Sequence, residues 1–308
     1  MTATTPIAPA WIAADWGTSN LRVFAMDAGG KVLAQAASEQ GMATLTKDGY
    51  EPALRALIAD WSLPNPCTVI ACGMVGSRQG WFEAPYRSVP CIAATEPPVH
   101  VPECGADLDV YLLPGVRQDT PADVMRGEET QIAGFLHLNP DWDGVLCLPG
   151  THSKWVQVSA GEIVSFRTCM TGELFNTISS ATVLQHSLAK ASQNTTDWDT
   201  DAFTESLKSA QSRPETLVSS LFTLRAADLL HSQSSTTASA KLSGLLIGAE
   251  LAATKPYWLG TNVAIIGNDT LAGLYCDALK LQGITAERCD STEVTCAGIF
   301  AAFSALKA

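Results

Sequence analysis

The chain has 308 residues, 46% of them hydrophobic and 16% charged, with a formal net charge of −12. That length suits two domains of roughly 150 residues each. No apolar run reaches the ~18 residues of a membrane span, and the acidic balance argues against nucleic acid and anionic membranes as partners.

The first residues lack a basic stretch followed by a long apolar one, so no secretory signal is expected. Nine scattered cysteines form no C-x-x-C pair. Reduced thiols in the cytoplasm are expected, with neither a disulfide framework nor a metal cage. Oligomeric state is not readable from the sequence.

Taken in chain order, Trp11 to Ala14 is an apolar strand, followed by the loop Asp15-Trp-Gly-Thr-Ser-Asn20. Strands over 21–26 and 31–37 come next, separated by the turn signal Asp27-Ala-Gly-Gly30. Leu54, Leu57, Ile58 and Trp61 share one face of a helix over 51–61. Strands follow over 68–72 and 109–113, with a glycine-punctuated loop, 73–80, after the first. A helix is read over 124–138.

The opening pattern then returns: an apolar strand over 144–148, the loop Pro149-Gly-Thr-His-Ser-Lys154, a strand over 155–158, a turn at 159–162 and a strand over 163–168. The offset between Gly17 and Gly150 is 150 − 17 = 133 residues, close to half the chain. Two copies of one unit at that spacing imply a duplicated two-domain architecture. Helices are expected over 172–188, 215–230, 241–253, 271–281 and 292–306, and strands over 262–266 and 284–288. Residues 189–213 read as a polar surface excursion and 232–239 as a Ser/Thr-rich loop.

Phosphates need close backbone approach, N–H donors and hydroxyls, which Gly, Thr and Ser supply. Gly17, Thr18 and Ser19 fit one such loop, with Asp15 available to hold Mg²⁺ through water. Gly150, Thr151, His152 and Ser153 fit a second, with Lys154 as a charge on a phosphate. Either loop alone is equally an ordinary turn; together they argue for a phosphate held from both domains. No G-x-x-x-x-G-K-[ST] and no G-x-G-x-x-G after a strand occurs.

Between the hairpins, Asp123 suits a helix N-cap and Glu128 and Glu129 a solvated face, unless their place before the second loop makes them functional. Ser77, Arg78, Gln79 and Trp81 mix donors with an aromatic ring, and Arg78 could fork onto a carboxylate or simply make one surface ion pair. Arg22 and Arg126 are the fallback cations for that role. Thr171 and Glu173 open a helix and are either its cap or part of the acceptor site.

Five stretches together resemble the 2-keto-3-deoxygalactonate kinase family: Asp15-Trp-Gly-Thr-Ser, Gly73-Met-Val-Gly-Ser-Arg-Gln-Gly-Trp81, Met125-Arg-Gly-Glu-Glu-Thr-Gln131, Leu148-Pro-Gly-Thr-His-Ser-Lys-Trp155 and Met170-Thr-Gly-Glu-Leu-Phe175. The resemblance implies an α/β duplicated actin/hexokinase (ribonuclease H-like) fold, two domains with a central ATP/substrate cleft. The expected division is 1–122 and 123–291, with the last helix, about 292–308, packing back on the first domain. The implied reaction moves the ATP γ-phosphate onto O6 of 2-dehydro-3-deoxy-D-galactonate, a step of galactonate catabolism, with ATP and Mg²⁺ as cofactors and a small sugar acid as the partner. By the same likeness Gly267 and Asn268 would lie near the adenosine and Gly244 and Gly248 on a nearby helix. Glu128 would be the general base, with Asp123 second. The sequence departs from the wider superfamily at Leu148 and Pro149, where an aspartate is common, and in having one glycine before Asn268. The competing expectations are a kinase of another small sugar or 2-keto-3-deoxy sugar acid, a non-catalytic nucleotide-dependent sensor, and a nucleotide hydrolase.

Overall fold

The computed structural model describes residues 7–93, 97–102, 104–189 and 198–307. The chain forms two compact units, one of residues 1–143, 158–165 and 289–308, the other of 144–157 and 166–288.

In the first unit, β1 (Trp11–Trp16), β2 (Leu21–Met26) and β3 (Val32–Ser38) make an antiparallel meander, and α1 (Tyr50–Ile58) leads to β4 (Cys67–Gly73). Short strands β5 (Tyr86–Ser88), β6 (Cys91–Ile92) and β7 (Val99–His100) precede β8 (Leu108–Leu112), β9 (Gly115–Asp119) and β10 (Ala122–Met125). Helix α2 spans Glu128–Leu138. The main sheet has the order β3-β2-β1-β4-β8-β7, with β4 parallel to both β1 and β8.

Strand alternation decides which face each side chain joins. Ile12, Ala14 and Trp16 pack with Tyr50, Leu54 and Val69, whereas Trp11 and Ala13 pack with Phe24, Ile70 and Ile299. Both faces of the sheet are therefore covered, and each large apolar side chain buried this way contributes about 1.5–3 kcal/mol.

The second unit repeats the plan. Strands β11 (Gly144–Leu148), β12 (Ser153–Ser159) and β13 (Glu162–Cys169) are followed by helices α3 (Thr171–Ala181), α4 (Thr200–Ser212), α5 (Leu217–His231), α6 (Ser235–Ala253) and α7 (Lys255–Trp258). Then come β14 (Val263–Gly267), α8 (Asp269–Lys280) and β15 (Glu287–Asp290), after which α9 (Ser291–Lys307) belongs to the first unit. The sheet order is β15-β14-β11-β12-β13-β6, with β11 parallel to β14. A three-stranded meander whose first strand pairs in parallel with the strand after the next helices thus occurs twice.

Several sequence expectations change. Residues 122–125 are strand, with Asp123 opposite Gln118 across the β9–β10 ribbon. Gly127, at φ +107°, lies outside the right-handed helical region, so no helix runs through it and α2 begins only at Glu128. Asp123 is not the cap of that helix; its Oδ1 accepts the neighbouring Val124 N–H at 2.8 Å.

Part of the expected polar excursion, 200–212, is helix α4, whose Phe203, Leu207 and Ala210 are buried. Its first part, 190–197, lies outside the described residues. Ser235 already starts α6, with the Ser234 hydroxyl accepting the Thr237 N–H, so most of the expected Ser/Thr loop is helix.

The units divide at Asp143/Gly144, where the sequence expectation was 122/123. The reason is helix contact. A Cβ on Gly134 of α2 would stand 1.8 Å from the Val294 carbonyl, and one on Gly298 of α9 would stand 2.0 Å from the Thr130 carbonyl. The two backbones touch through these glycines, and α2 and α9 belong to the first unit together.

Candidate active site

In the first unit the parallel strands β1 and β4 end side by side, with Asp15 opposite Cys72 and Trp16 opposite Gly73. A crevice beyond the carboxyl ends of parallel strands is where α/β folds bind ligands. A Cβ on Gly73 would lie 2.6 Å from the Trp16 carbonyl, and one on Gly127 would lie 3.3 Å from the Gly73 Cα. Glycine at both positions lets the N-terminus of α2 close onto these strand ends.

Three carboxylates result. Asp15 pairs across the hairpin with Arg22, whose Nε donates to Oδ2 at 3.1 Å and whose Nη2 also contacts Oδ2. Arg22 Nη1 donates to the Thr292 hydroxyl at 3.2 Å. Glu128 is half-buried, and its Oε2 accepts the Arg126 N–H at 3.0 Å. Glu129 is only 2% exposed, and its two oxygens accept the Gly127 N–H at 2.9 and 2.8 Å. Burial, and then the Glu128 charge, push Glu129 up to about 7. Burial, then Asp15 and Glu129, push the Cys72 thiol well up as well, which reflects how close these acids lie.

The loop after β1 is held from behind. The carbonyls of Gly17, Thr18 and Ser19 accept the N–H groups of Met42, Ala43 and Gly41 at 3.1, 2.9 and 3.2 Å. Thr18 and Ser19 themselves are exposed at the tip of this loop.

The second unit contains a pocket of about 440 Å³, within the size range of small-ligand sites. Gly150, Thr151, Thr171, Gly172 and Asn268 line its polar side, and Leu246, Ile247, Leu271 and Leu274 its apolar side. A Cβ on Gly150 would meet nothing within 4 Å, so the backbone there is open to a ligand. A Cβ on Gly172 would stand 2.3 Å from the Gly150 carbonyl, so α3 packs directly on the loop. His152 Nε2 contacts Glu173 Oε2, and the Glu173 N–H donates to the Thr151 carbonyl at 2.9 Å. Thr171 and Glu173 thus open α3 beside the second loop. Asn268 caps α8 through Leu271 N–H at 3.0 Å while lining the pocket.

Some expected contacts are absorbed by packing. Ser153 is fully buried with its hydroxyl 3.0 Å from Tyr275 OH, and Lys154 is 3% exposed with Nζ donating to the His152 carbonyl at 3.1 Å. Gly267 lies at ordinary packing distance from Ala272 and Pro149. Gly244 and Gly248 face α4: added Cβ atoms would each stand 2.4 Å from a carbonyl, of Phe203 and Leu207 respectively. They are helix-packing glycines, and their neighbours Ser243, Leu246 and Ile247 line the pocket instead.

Around the 76–83 loop, Trp81 is 8% exposed and stacks near Tyr50 and Trp16 in the core, while Ser77 is buried. Arg126 is buried over the Tyr86 ring, 4.2 Å from its centroid, and donates to the Ala84 carbonyl at 2.8 Å. Arg78 and Gln79 are exposed, and Arg78 lies 3.6 Å from Glu83. Of the three arginines named for the acceptor, Arg22 pairs with Asp15, Arg126 has internal partners on Nε and Nη2 while its buried Nη1 has none among the described residues, and Arg78 faces solvent.

The duplicated meander and the paired glycine loops define the actin/hexokinase-like kinase fold. A ligand-bound xylulose kinase from Lactobacillus acidophilus shares this fold, at 11% identity and a TM-score of 0.52, over 96% of this chain and 89% of that one. The chain belongs to the 2-keto-3-deoxy-galactonokinase family, whose profile matches residues 15–302. It is 39% identical to the probable 2-dehydro-3-deoxygalactonokinase DgoK1 of Rhizobium meliloti (strain 1021), over 96% of this chain and 97% of the relative. It is 35% identical to the 2-dehydro-3-deoxygalactonokinase of Escherichia coli (strain K12), over 92% of each. A crystal structure of a Sinorhizobium meliloti protein assigned as a 2-dehydro-3-deoxygalactonokinase superimposes with a TM-score of 0.88 at 37% identity, over 96% of both chains. Among the described residues no helix is long and apolar enough to cross a membrane.

Proposed function

We propose that the protein transfers the ATP γ-phosphate to O6 of 2-dehydro-3-deoxy-D-galactonate, giving the 6-phosphate and ADP in the cytoplasmic breakdown of galactonate. The observation that carries this reading, beside family membership, is half-buried Glu128 at the start of α2, where the ends of β1 and β4 meet.

A primary hydroxyl is a weak nucleophile until its proton has an acceptor. Glu128 takes that proton while O6 forms its bond to Pγ and the bond from Pγ to the bridging oxygen of ADP breaks. Glu129, buried and turned onto Gly127, is unsuited to the same task. The second unit's pocket takes the nucleotide, its apolar wall against the base and the Gly150–Thr151 backbone towards the phosphates. Thr18 and Ser19 offer donors to the transferred group, and such positioning and charge stabilisation do most of the work in phosphoryl transfer.

Among the described residues no group of three or more His, Cys, Asp or Glu could hold a metal ion by itself. Mg²⁺ usually keeps several waters and binds through one or two carboxylates plus nucleotide phosphates. Asp15 would hold it through water, and Mg²⁺ would neutralise phosphate charge. Arg78 is the exposed cation proposed for the acceptor carboxylate.

A coupled ADP-release assay over a panel of 2-keto-3-deoxy sugar acids tests the reading. Turnover should be greatest with the galactonate-derived acid, and Arg78→Ala should raise KM for the acid by about tenfold, the loss of one charge-assisted contact, with ATP KM little changed. Equal ADP release without any acceptor would make the protein a hydrolase and reject the proposal.

A further inference from the structure

Glu250, in the last turn of α6, takes no part in the transfer chemistry outlined above, yet it is an acid only 4% exposed. Burying a carboxylate costs several kcal/mol unless hydrogen bonds compensate. Here they do. Trp155 Nε1 donates to Oε1 at 2.7 Å and Tyr275 OH donates to Oε2 at 2.7 Å. The Thr171 and Ser153 hydroxyls lie near enough to favour its charged form against that burial, and Ser153 Oγ lies 3.0 Å from Tyr275 OH.

The donors come from three separate elements. Ser153 and Trp155 are in β12 directly after the Gly150–His152 loop, Thr171 is the first residue of α3, and Tyr275 is in α8. Gly150, Thr151, Thr171, Gly172 and Tyr275 line the pocket that these elements border. One buried side chain thus ties together the phosphate loop, the helix that packs on it and the helix capped by Asn268.

We propose that Glu250 is a positioning residue for the nucleotide: it fixes the Gly150–His152 loop, the start of α3 and helix α8 in the arrangement that receives the phosphates. This rests on reading the second unit's pocket as the nucleotide site. An apolar residue at 250 would fill the space but leave the Trp155 and Tyr275 donors unsatisfied. Fully satisfied buried networks, by contrast, select one geometry. Glutamine keeps the size and offers only one acceptor oxygen, so one arm of the clamp opens.

The test compares Glu250→Gln, Tyr275→Phe and the double variant, each checked for folding by circular dichroism and thermal melting. ADP binding is followed by intrinsic tryptophan fluorescence, since Trp198 lines the pocket, and KM is measured separately for ATP and for the sugar acid. Glu250→Gln should weaken ADP binding and raise ATP KM by about tenfold, with acceptor KM within about twofold, the scale of one lost charge-assisted hydrogen bond. Tyr275→Phe should weaken ADP binding by about threefold, and the double variant should be no worse than Glu250→Gln alone, because coupled residues are not additive. Should Glu250→Gln fail to fold, the threefold loss in Tyr275→Phe carries the test, and its absence overturns the proposal. A folded Glu250→Gln protein that binds ADP normally, or loses both substrates equally, also overturns it. If the unaltered protein binds no ADP, the nucleotide reading fails and this inference falls with it.

Discussion

The two glycine-threonine loops sit at equivalent turns of a duplicated meander, yet their surroundings differ in kind. The first follows Asp15, part-buried and paired with Arg22, and two more acids stand at the start of α2. The second follows Leu148 and Pro149, and the carboxylate behind it, Glu250, is sealed beneath the loop. The turn is kept in both copies while the charges around it differ. The first copy has half-buried Asp15 and Glu128 beside buried Glu129; the second has a buried acid, Glu250, behind its loop. The contrast makes a general expectation: changes around the first loop fall on turnover, and changes around the second fall on nucleotide affinity.

The largest break in that contrast would come at Glu128. Glu128→Gln should lower kcat by about 10³-fold, within the range for loss of a general base, with both substrates still bound. Asp123→Asn should stay close to wild type, because Asp123 lies on the β10 ribbon and not on α2. The reverse pattern in steady-state kinetics would transfer the role to Asp123.

Next in size is Asp15→Asn, expected to lower kcat by about 10²-fold, as for removal of one electrostatic group. A Mg²⁺ titration of the variant should saturate at higher concentration. Near-normal turnover would reduce Asp15 to a partner of Arg22.

Glu129 sharpens the comparison through pH. The folded protein holds its proton to about pH 7, whereas an ordinary glutamate releases it near 4.5. Between these values the folded state binds the extra proton, so this contribution is fully present below the unfolded value and is lost as pH rises through about 7. The loss is on the order of 3 kcal/mol. Urea melts of wild type and Glu129→Gln between pH 4.5 and 8 should converge at the acid end, with the variant relatively more stable at pH 8. Parallel curves would disprove the shift.

The smallest effects separate packing glycines from ligand-facing ones. Gly244→Ala forces α4 and α6 apart and should cost about 1–3 kcal/mol in a thermal melt, with ATP KM unchanged. Gly150→Ala adds a Cβ into open space, so melting should hold while ATP KM rises by about tenfold, or 1.4 kcal/mol.

Much of this was legible from residues alone. The hairpins announced themselves through short apolar strands and glycine turns, and their repetition at half-chain spacing gave the architecture. The helix read through 124–127 failed because Ala122–Met125 is a narrow β-ribbon whose polar residues imitate a helix cap, and Gly127's conformation cannot be seen in its letter. Gly244 and Gly248 do lie on a helix, as the resemblance implied, but a glycine's letter does not say whether a helix or a ligand approaches it. The burial of Trp81 and Arg126 is set by tertiary packing, against Tyr50 and Ala84, which their place in the sequence does not show. Glu250 left no local mark at all: its donors lie 95 and 25 residues away in sequence.

The contact of the last helix with the first strand has a consequence for how the molecule is made. Trp11 stacks on Phe303 with ring centroids 4.3 Å apart, a separation of 303 − 11 = 292 residues. At a ribosomal rate of about 5–20 residues per second, the opening meander waits roughly 15–60 s for the helix that covers it. Throughout that interval Trp11, Phe24 and Ile70 present an apolar face without its lid. Residues 144–288, emerging meanwhile, can complete nearly all of the second unit first. A nascent chain stalled before Ser291 would therefore leave that apolar face open to chaperones.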